Sequence, residues 1–226
     1  MNLLDNESRV LNRLEARSRF REQAVPAWWH AVKRGTDVVL SLAALVVAAP
    51  LLILAALGIA AVSPGSPVFA QERVGKNGRP FRMFKLRTMV DGAHLMHDDV
   101  RHLNEVSGPV LKIRNDPRLH ALGRLLRRTS IDEFPNFINV LRGDMSIVGP
   151  RPPLPGEVAQ YDAHAWRRLS VKPGITCLWQ VSGRSNVSFD EWIALDIDYI
   201  EHWSPWRDIT IVLRTIPAVI RGDGAH

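Results

Sequence analysis

The sequence predicts a predominantly helical α+β protein: a re-entrant membrane helix-break-helix followed by a small cytoplasmic domain with a β-hairpin and interfacial amphipathic helices. Three observations lead there. No charged residue occurs from Val38 to Val62, and Pro50 sits in the middle of that run. Two short β-prone runs then flank Gly75-Lys76-Asn77-Gly78, and the remainder alternates helical apolar spacing with glycine and proline punctuation. The chain divides into an amphipathic extension over 1–30, a membrane helix over 31–63 and a domain over 64–226.

At 226 residues the chain accommodates one sizeable core, not two full domains. Lys and Arg number 29 against 23 Asp and Glu, a formal charge of +6 and a pI of about 10.1, which favours anionic partners such as phosphates or acidic lipid headgroups. The single cysteine, Cys177, excludes an internal disulfide and with it a disulfide-built secreted scaffold.

In the extension, Arg9, Arg13, Arg17 and Arg21 recur every four residues beside a Leu4, Leu11, Leu14 stripe, the pattern of a basic amphipathic helix. Trp28 and Trp29 next to Lys33 and Arg34 suit a lipid interface. The uncharged run that follows is long enough to cross about 30 Å of hydrocarbon at roughly 1.5 Å per residue. Pro50 removes one backbone hydrogen bond at its centre and predicts a kink or break, so two short helices are expected. Both flanks are basic: Lys33 and Arg34 lie before the run, and Arg73, Lys76, Arg79, Arg82, Lys85 and Arg87 after it. Positive flanks stay on the cytoplasmic side, so one crossing fails to satisfy both, whereas a chain that turns back at Pro50 succeeds; a single tilted spanning helix is the alternative.

Beyond Ser63-Pro64-Gly65, Val68–Val74 and Arg79–Leu86 predict a hairpin. Helices are expected over Asp91–Val106 and Leu119–Arg128. His94, His97 and His102 lack convincing metal-ligand spacing and are expected on the surface. Trp166, Trp179, Trp192, Trp203 and Trp206, mixed with arginines, are expected to form an interfacial belt. The chain has no recognisable nucleic-acid-binding motif, so a nucleic acid is not an expected partner.

Residues 127–155, RRTSIDEFPNFINVLRGDMSIVGPRPPLP, concentrate cations, adjacent carboxylates, glycines and prolines beyond what packing requires. Pro135 is tolerated only in a first helical turn, which starts a helix close to Asp132 and sets Asp132 and Glu133 at its positive end. Ser130-Ile131-Asp132-Glu133 also matches a capping box, a purely structural reading. Arg127 and Arg128 before the pair, and Asp144, Gly149 and Arg151 after it, favour a phosphate site. An ionised carboxylate attacks phosphorus or binds Mg²⁺, and two adjacent ones divide these tasks. Arg151, fixed between prolines, suits bidentate contact with phosphate. Lys85 and Arg87 at the hairpin's end, and Arg118, are further candidate phosphate ligands.

In the motifs KRGTDVVLS, RVGKNGRPFRMFKLRTM, NDPRLHALGRLLRRTSIDEFPNFINVLRGDMSIVGPRP and KPGITCLWQVSGRS, the chain resembles the monotopic polyprenyl-phosphate phosphoglycosyl transferases. These bacterial sugar transferases begin exopolysaccharide, capsule, O-antigen or glycoprotein glycan assembly. The resemblance runs from about Lys33 to Gly224 and makes 64–226 the catalytic domain. It implies that Asp132 attacks the β-phosphate of a UDP-sugar and releases UMP, and that the phosphosugar then passes to undecaprenyl phosphate. It associates Glu133 with Mg²⁺, and Arg127 and Arg151 with substrate phosphate. It further implies a re-entrant helix at the cytoplasmic face of the bacterial inner membrane.

The chain departs from the family at Ala49-Pro50, where many relatives carry serine before the proline, so no hydroxyl there serves a freed carbonyl. Larger relatives carry an additional multi-helix membrane module, which is not expected here. The C-terminal region resembles the exopolysaccharide-type hexose enzymes, which makes galactose or glucose the expected sugar, and a homodimer is compatible with the sequence. The alternative reading is a non-catalytic membrane adaptor that binds anionic lipid, with Asp132-Glu133 only a helix cap.

Overall fold

The computed structural model describes residues 25–93, 95–96, 98–105, 113, 115–182 and 188–221. The predicted arginine-rich helix before residue 25 lies outside these residues, as do His94 and His97.

The apolar run forms part of one helix, α1 (Ala27–Val62), long and apolar enough to cross a membrane. Its helical geometry passes through Pro50 without interruption, where two shorter helices were expected. A proline removes one hydrogen bond of the ladder, and the flanking leucines, valines and alanines sustain the rest. Val39, Leu42, Val46, Val47, Ile53 and Leu54 in its middle are exposed. Both sides of Pro50 are tied to the rest of the chain. Before it, Lys33 Nζ donates to the Val148 carbonyl at 3.0 Å and pairs with Asp208 at 2.5 Å. Arg34 donates to the carbonyls of Val140 and Leu141, and Asp37 accepts from Ser146 Oγ and the Ile147 amide. After it, Ala55 and Ile59 pack with Leu86 and Leu126.

The hairpin follows as predicted. Strands β1 (Val68–Val74) and β2 (Pro80–Leu86) pair antiparallel from Val68↔Leu86 to Val74↔Pro80. Asn77 and Gly78 take positive φ at the turn, a conformation those two residues tolerate. The helix expected over 91–106 is not formed: its described residues make turns and one short 3₁₀ segment, Arg101–Leu103. Gly92 at φ 75° interrupts any helix begun at Asp91.

Helix α2 (Ala121–Arg128) is capped by His120, whose Nδ1 accepts from the Gly123 amide at 2.9 Å. A 3₁₀ turn (Ile131–Glu133) leads into α3 (Asn136–Arg142), closed by Gly143 at φ 89°. Asn139, fully buried on α3, accepts from the Phe84 amide and donates to the Arg82 carbonyl, clamping α3 to β2. Strand β3 (Ser146–Val148) pairs in parallel with β4 (Gly174–Thr176). Short helices α4 (Pro155–Val158), α5 (Ala163–Trp166) and α6 (Leu178–Val181) precede α7 (Phe189–Glu201) and α8 (Pro205–Arg221).

Ser188 and Glu191 form a capping box on α7, whose Ile193, Ile197 and Ile200 enter the main core with Val148, Val158, Tyr161, Leu169 and Ile211. On α8, Trp206, Ile209, Leu213 and Ile216 leave one apolar face exposed. The expected tryptophan belt is corrected: of the five, Trp206 alone is exposed, whereas Trp192 is buried and Trp166, Trp179 and Trp203 are half-buried. Their rings serve packing. Trp203, in the link between α7 and α8, stacks on His30 and meets Trp29 edge-on, which packs that link on the start of α1.

Candidate active site

Ser130 adopts φ 56° and makes no side-chain capping bond, so the capping-box explanation of Asp132-Glu133 is not realised. The carboxylates lie in a 3₁₀ turn ahead of α3: the α-helical ladder begins only at Asn136, after Pro135, later than the start close to Asp132 that the sequence predicts.

Asp132 is buried, at 6% exposure, and forms no ion pair with a described residue. Burial pushes its carboxyl up to about 6; Lys85 and Arg127 oppose the rise and neighbouring Glu133 adds to it. Glu133 behaves in the opposite way. Burial works against its ionisation, but Lys85, whose Nζ lies 2.6 Å from Oε1, together with Arg151 and Arg73, holds its carboxyl below the usual range. One carboxylate is thus paired, while the other is close to cations yet unbridged, its lone pairs available for a reacting group.

Arg127 reaches the same place from α2. Its Nε donates to Thr88 Oγ1 at 3.0 Å, which orients the guanidinium, and both Asp132 and Glu133 feel its charge. Arg151 comes from the turn after β3, which is held from several directions. Gly149 and Gly174 approach so closely that a Cβ on Gly174 would fall 2.1 Å from the Gly149 nitrogen. The Gly174 amide donates to the Pro150 carbonyl, and the Val74 amide to the Pro153 carbonyl. The Arg151 guanidinium lies over the Trp192 ring, 5.4 Å from its centroid. Beneath it, fully buried Arg168 pairs with Asp196 at 2.5 Å and also donates to the Arg151 carbonyl.

One small open pocket is lined by Lys85, Glu133 and Arg151 together with Asn136, Met145 and Gln180, whereas Asp132 and Arg127 are not part of its lining. Arg73 lines it as well, a residue counted from the sequence only among the basic flank of the apolar run. The signal was present: side chains alternate across a strand, and the Arg73↔Phe81 register puts Arg73, Met83 and Lys85 on one hairpin face.

Two expected phosphate ligands are not brought into this group. Arg87, two residues past Lys85, turns away and donates to the carbonyls of Ser63, Pro64 and Gly65, which closes the end of α1. Arg118 makes a bidentate pair with Asp116, through Nε at 2.9 Å and Nη2 at 2.6 Å. A guanidinium so engaged has its planar fork occupied.

For Mg²⁺ the donor set is suitable. The described residues hold no cluster of three His, Cys, Asp or Glu side chains, but Mg²⁺ is commonly held by one or two carboxylates plus substrate phosphates. Glu133 supplies a carboxylate at the pocket, and Asn136 Oδ1, buried without a hydrogen-bond partner, adds a second oxygen.

The site thus combines a buried, unbridged carboxylate with neighbouring cations, in a chain that also carries one long apolar helix. The chain belongs to the bacterial sugar transferase family, which it matches over residues 28–222. It is 50% identical over 163 residues to "Galactosyl transferase CpsE" of Streptococcus agalactiae serotype III (strain NEM316), covering 71% of this chain and 36% of that protein. It is 44% identical over 203 residues to the "UDP-glucose:undecaprenyl-phosphate glucose-1-phosphate transferase" of Caulobacter vibrioides (strain ATCC 19089 / CIP 103742 / CB 15), covering 86% of this chain and 72% of the relative. It is 37% identical over 198 residues to the "Exopolysaccharide production protein ExoY" of Rhizobium meliloti (strain 1021), covering 86% and 88% respectively. The chain therefore spans little more than a third of the streptococcal relative's length.

Proposed function

We propose that this protein transfers galactose or glucose 1-phosphate from a UDP-sugar to undecaprenyl phosphate, releasing UMP, as the first membrane step of exopolysaccharide synthesis. The observation that carries this reading is Asp132, buried beside Lys85 and Arg127 but unbridged, with paired Glu133 next to it. Asp132 attacks the β-phosphorus of the donor. Its carboxylate oxygen bonds to phosphorus, the bridging oxygen departs with UMP, and the sugar phosphate stays on Asp132 until the lipid phosphate displaces it. Arg127, Lys85 and Arg151 offset the repulsion between anionic nucleophile and diphosphate. Glu133, with Asn136, would hold Mg²⁺, which when bound draws negative charge from the phosphate oxygens.

The re-entrant reading of α1 finds support in its contacts. Lys33, Arg34 and Asp37 before Pro50, and Ala55 and Ile59 after it, all pack on one domain, which a bilayer between them would forbid. The exposed apolar middle of α1 and the apolar face of α8 then meet lipid, with the domain at the cytoplasmic face of a bacterial plasma membrane. A cysteine placed at exposed Ser66 should label only from the cytoplasmic side; labelling from outside would refute the re-entrant path.

The decisive experiment mixes the purified protein with UDP-galactose or UDP-glucose and Mg²⁺, without lipid acceptor. UMP and a hexose-phosphate mass increment on the Asp132 peptide are expected, and Asp132→Asn should lose both. UMP release by that variant would overturn the assignment, and a non-catalytic adaptor would release none from the wild type.

A further inference from the structure

Resting on the donor reading above, we propose that Arg73 is a further substrate ligand, pairing with Arg151 across the pocket to grip the phosphate of the departing nucleoside monophosphate. Arg73 is 6% exposed, and among the described residues it has no carboxylate partner at ion-pair distance. Two of its nitrogens have neutral partners: Nη1 donates to the Pro152 carbonyl at 3.0 Å, and Nη2 to Gln71 Oε1 at 2.7 Å. Its Nε is buried without a partner, and so is Nη1 of Arg151, which stands 3.8 Å from Glu157.

Burying a guanidinium without a paired carboxylate is unfavourable, and facing it with a second guanidinium adds repulsion. Burial and then Arg151 lower Arg73 to about 9, although Glu157 and Glu133 oppose the fall. Packing gains nothing from such an arrangement. An anion between the two, reached by both unpartnered N–H groups, reverses its sign, and phosphate is the planar fork's natural complement.

Position identifies which phosphate. Arg73, Arg151, Lys85 and Glu133 line this pocket, whereas Asp132 and Arg127 are absent from its lining. On the donor reading the attacked phosphorus lies at Asp132 itself, so the pocket that Asp132 does not line is left for the leaving phosphate. As the Asp132 oxygen–phosphorus bond forms, the bond from phosphorus to the bridging oxygen breaks, and that oxygen keeps the electron pair. Two guanidiniums already in place stabilise it without reorganisation.

The test uses the full chain in lipid nanodiscs and measures affinity for uridine, UMP and UDP by calorimetry. Arg73→Gln should weaken UMP and UDP at least tenfold and leave uridine within twofold. It should also flatten the dependence of log Kd on log salt. Arg73→Lys, which keeps a charge but not the fork, should fall between. Loss of uridine and UMP affinity in equal measure would mean that Arg73 only latches Pro152, and would overturn the inference. So would UMP bound equally by wild type and Arg73→Gln. If Arg73→Gln does not fold, Arg73→Lys decides by the same uridine-against-UMP comparison. Wild-type protein that binds neither UDP nor UMP refutes the donor reading itself.

Discussion

Replacing Asp132 with asparagine should abolish transfer and, at neutral pH, stabilise the protein. The carboxyl is 6% exposed and its folded value is raised from 3.8 to about 6, with burial the largest cause. Below about pH 4 the group is protonated folded and unfolded, and no penalty exists. Between about 4 and 6 the folded chain keeps a proton that the unfolded chain has lost, so stability falls as pH rises. Above about 6 the full penalty is present: a difference of about 2 pH units at roughly 1.4 kcal/mol each, or about 3 kcal/mol.

Asparagine keeps the shape without the charge, but its amide must find partners that the carboxylate did not need, an offset of about 1–2 kcal/mol. The net expectation at pH 7.5 is a gain of about 1–2 kcal/mol, or roughly 2–8 °C in Tm for a chain of this size. At pH 4.5 the gain should shrink to near zero. Differential scanning fluorimetry of both proteins in nanodiscs at the two pH values reads this directly. An Asp132→Asn variant less stable than wild type at pH 7.5, or a gap that ignores pH, would refute the claim that the Asp132 carboxylate is held at an electrostatic cost.

Three further outcomes follow from the same geometry. UMP release without acceptor should lose activity as pH falls through about 6, and Lys85→Met should move that limb upward, because Lys85 opposes the rise at Asp132; an unmoved limb would place the titrating group elsewhere. Arg87→Met strips three carbonyls at the end of α1 of their donor, so it should lower Tm by several degrees yet leave UMP affinity unchanged, whereas Arg127→Met should cut UMP release on the order of a hundredfold or more with little change in Tm. Gly123→Ala should yield little folded protein in membrane extracts, since its Cβ would lie 1.9 Å from the backbone oxygen of Thr88.

Much of the fold was legible because its signals are local. The uncharged run, the GKNG turn and the amphipathic spacing of Leu119–Arg128 each specify an element without reference to the rest of the chain. Asp91–Val106 misled because apolar spacing was weighed over Gly92, whose positive φ breaks the helix there. The tryptophans misled because a ring's partners are tertiary. Composition puts Trp192 beside arginines, but only the fold says that Arg151 and Arg168 lie against its ring, which makes it a platform for the site rather than a lipid anchor.

The arginines carry the sharper lesson. In sequence, Arg73, Lys85, Arg87, Arg118 and Arg127 are equivalent cations, and what separates them is whether something else already holds the charged group. Arg118 has Asp116 two residues away, a pairing that short spacing alone can announce. Arg87 shares its strand parity with Lys85, yet β2 ends at Leu86 and the freed side chain finds the carbonyls left open at the end of α1, which no period-two argument contains. Arg73 reaches the pocket because four turn residues fix a register that carries it to the face of Lys85. Its lack of a carboxylate partner is visible only once burial is known. Arg87 commits both terminal nitrogens to backbone carbonyls, and Arg118 is bound to Asp116. On the reading proposed above, Arg73 and Arg151 are the ones that meet the donor, because they line the pocket and Arg73 has no carboxylate at ion-pair distance among the described residues.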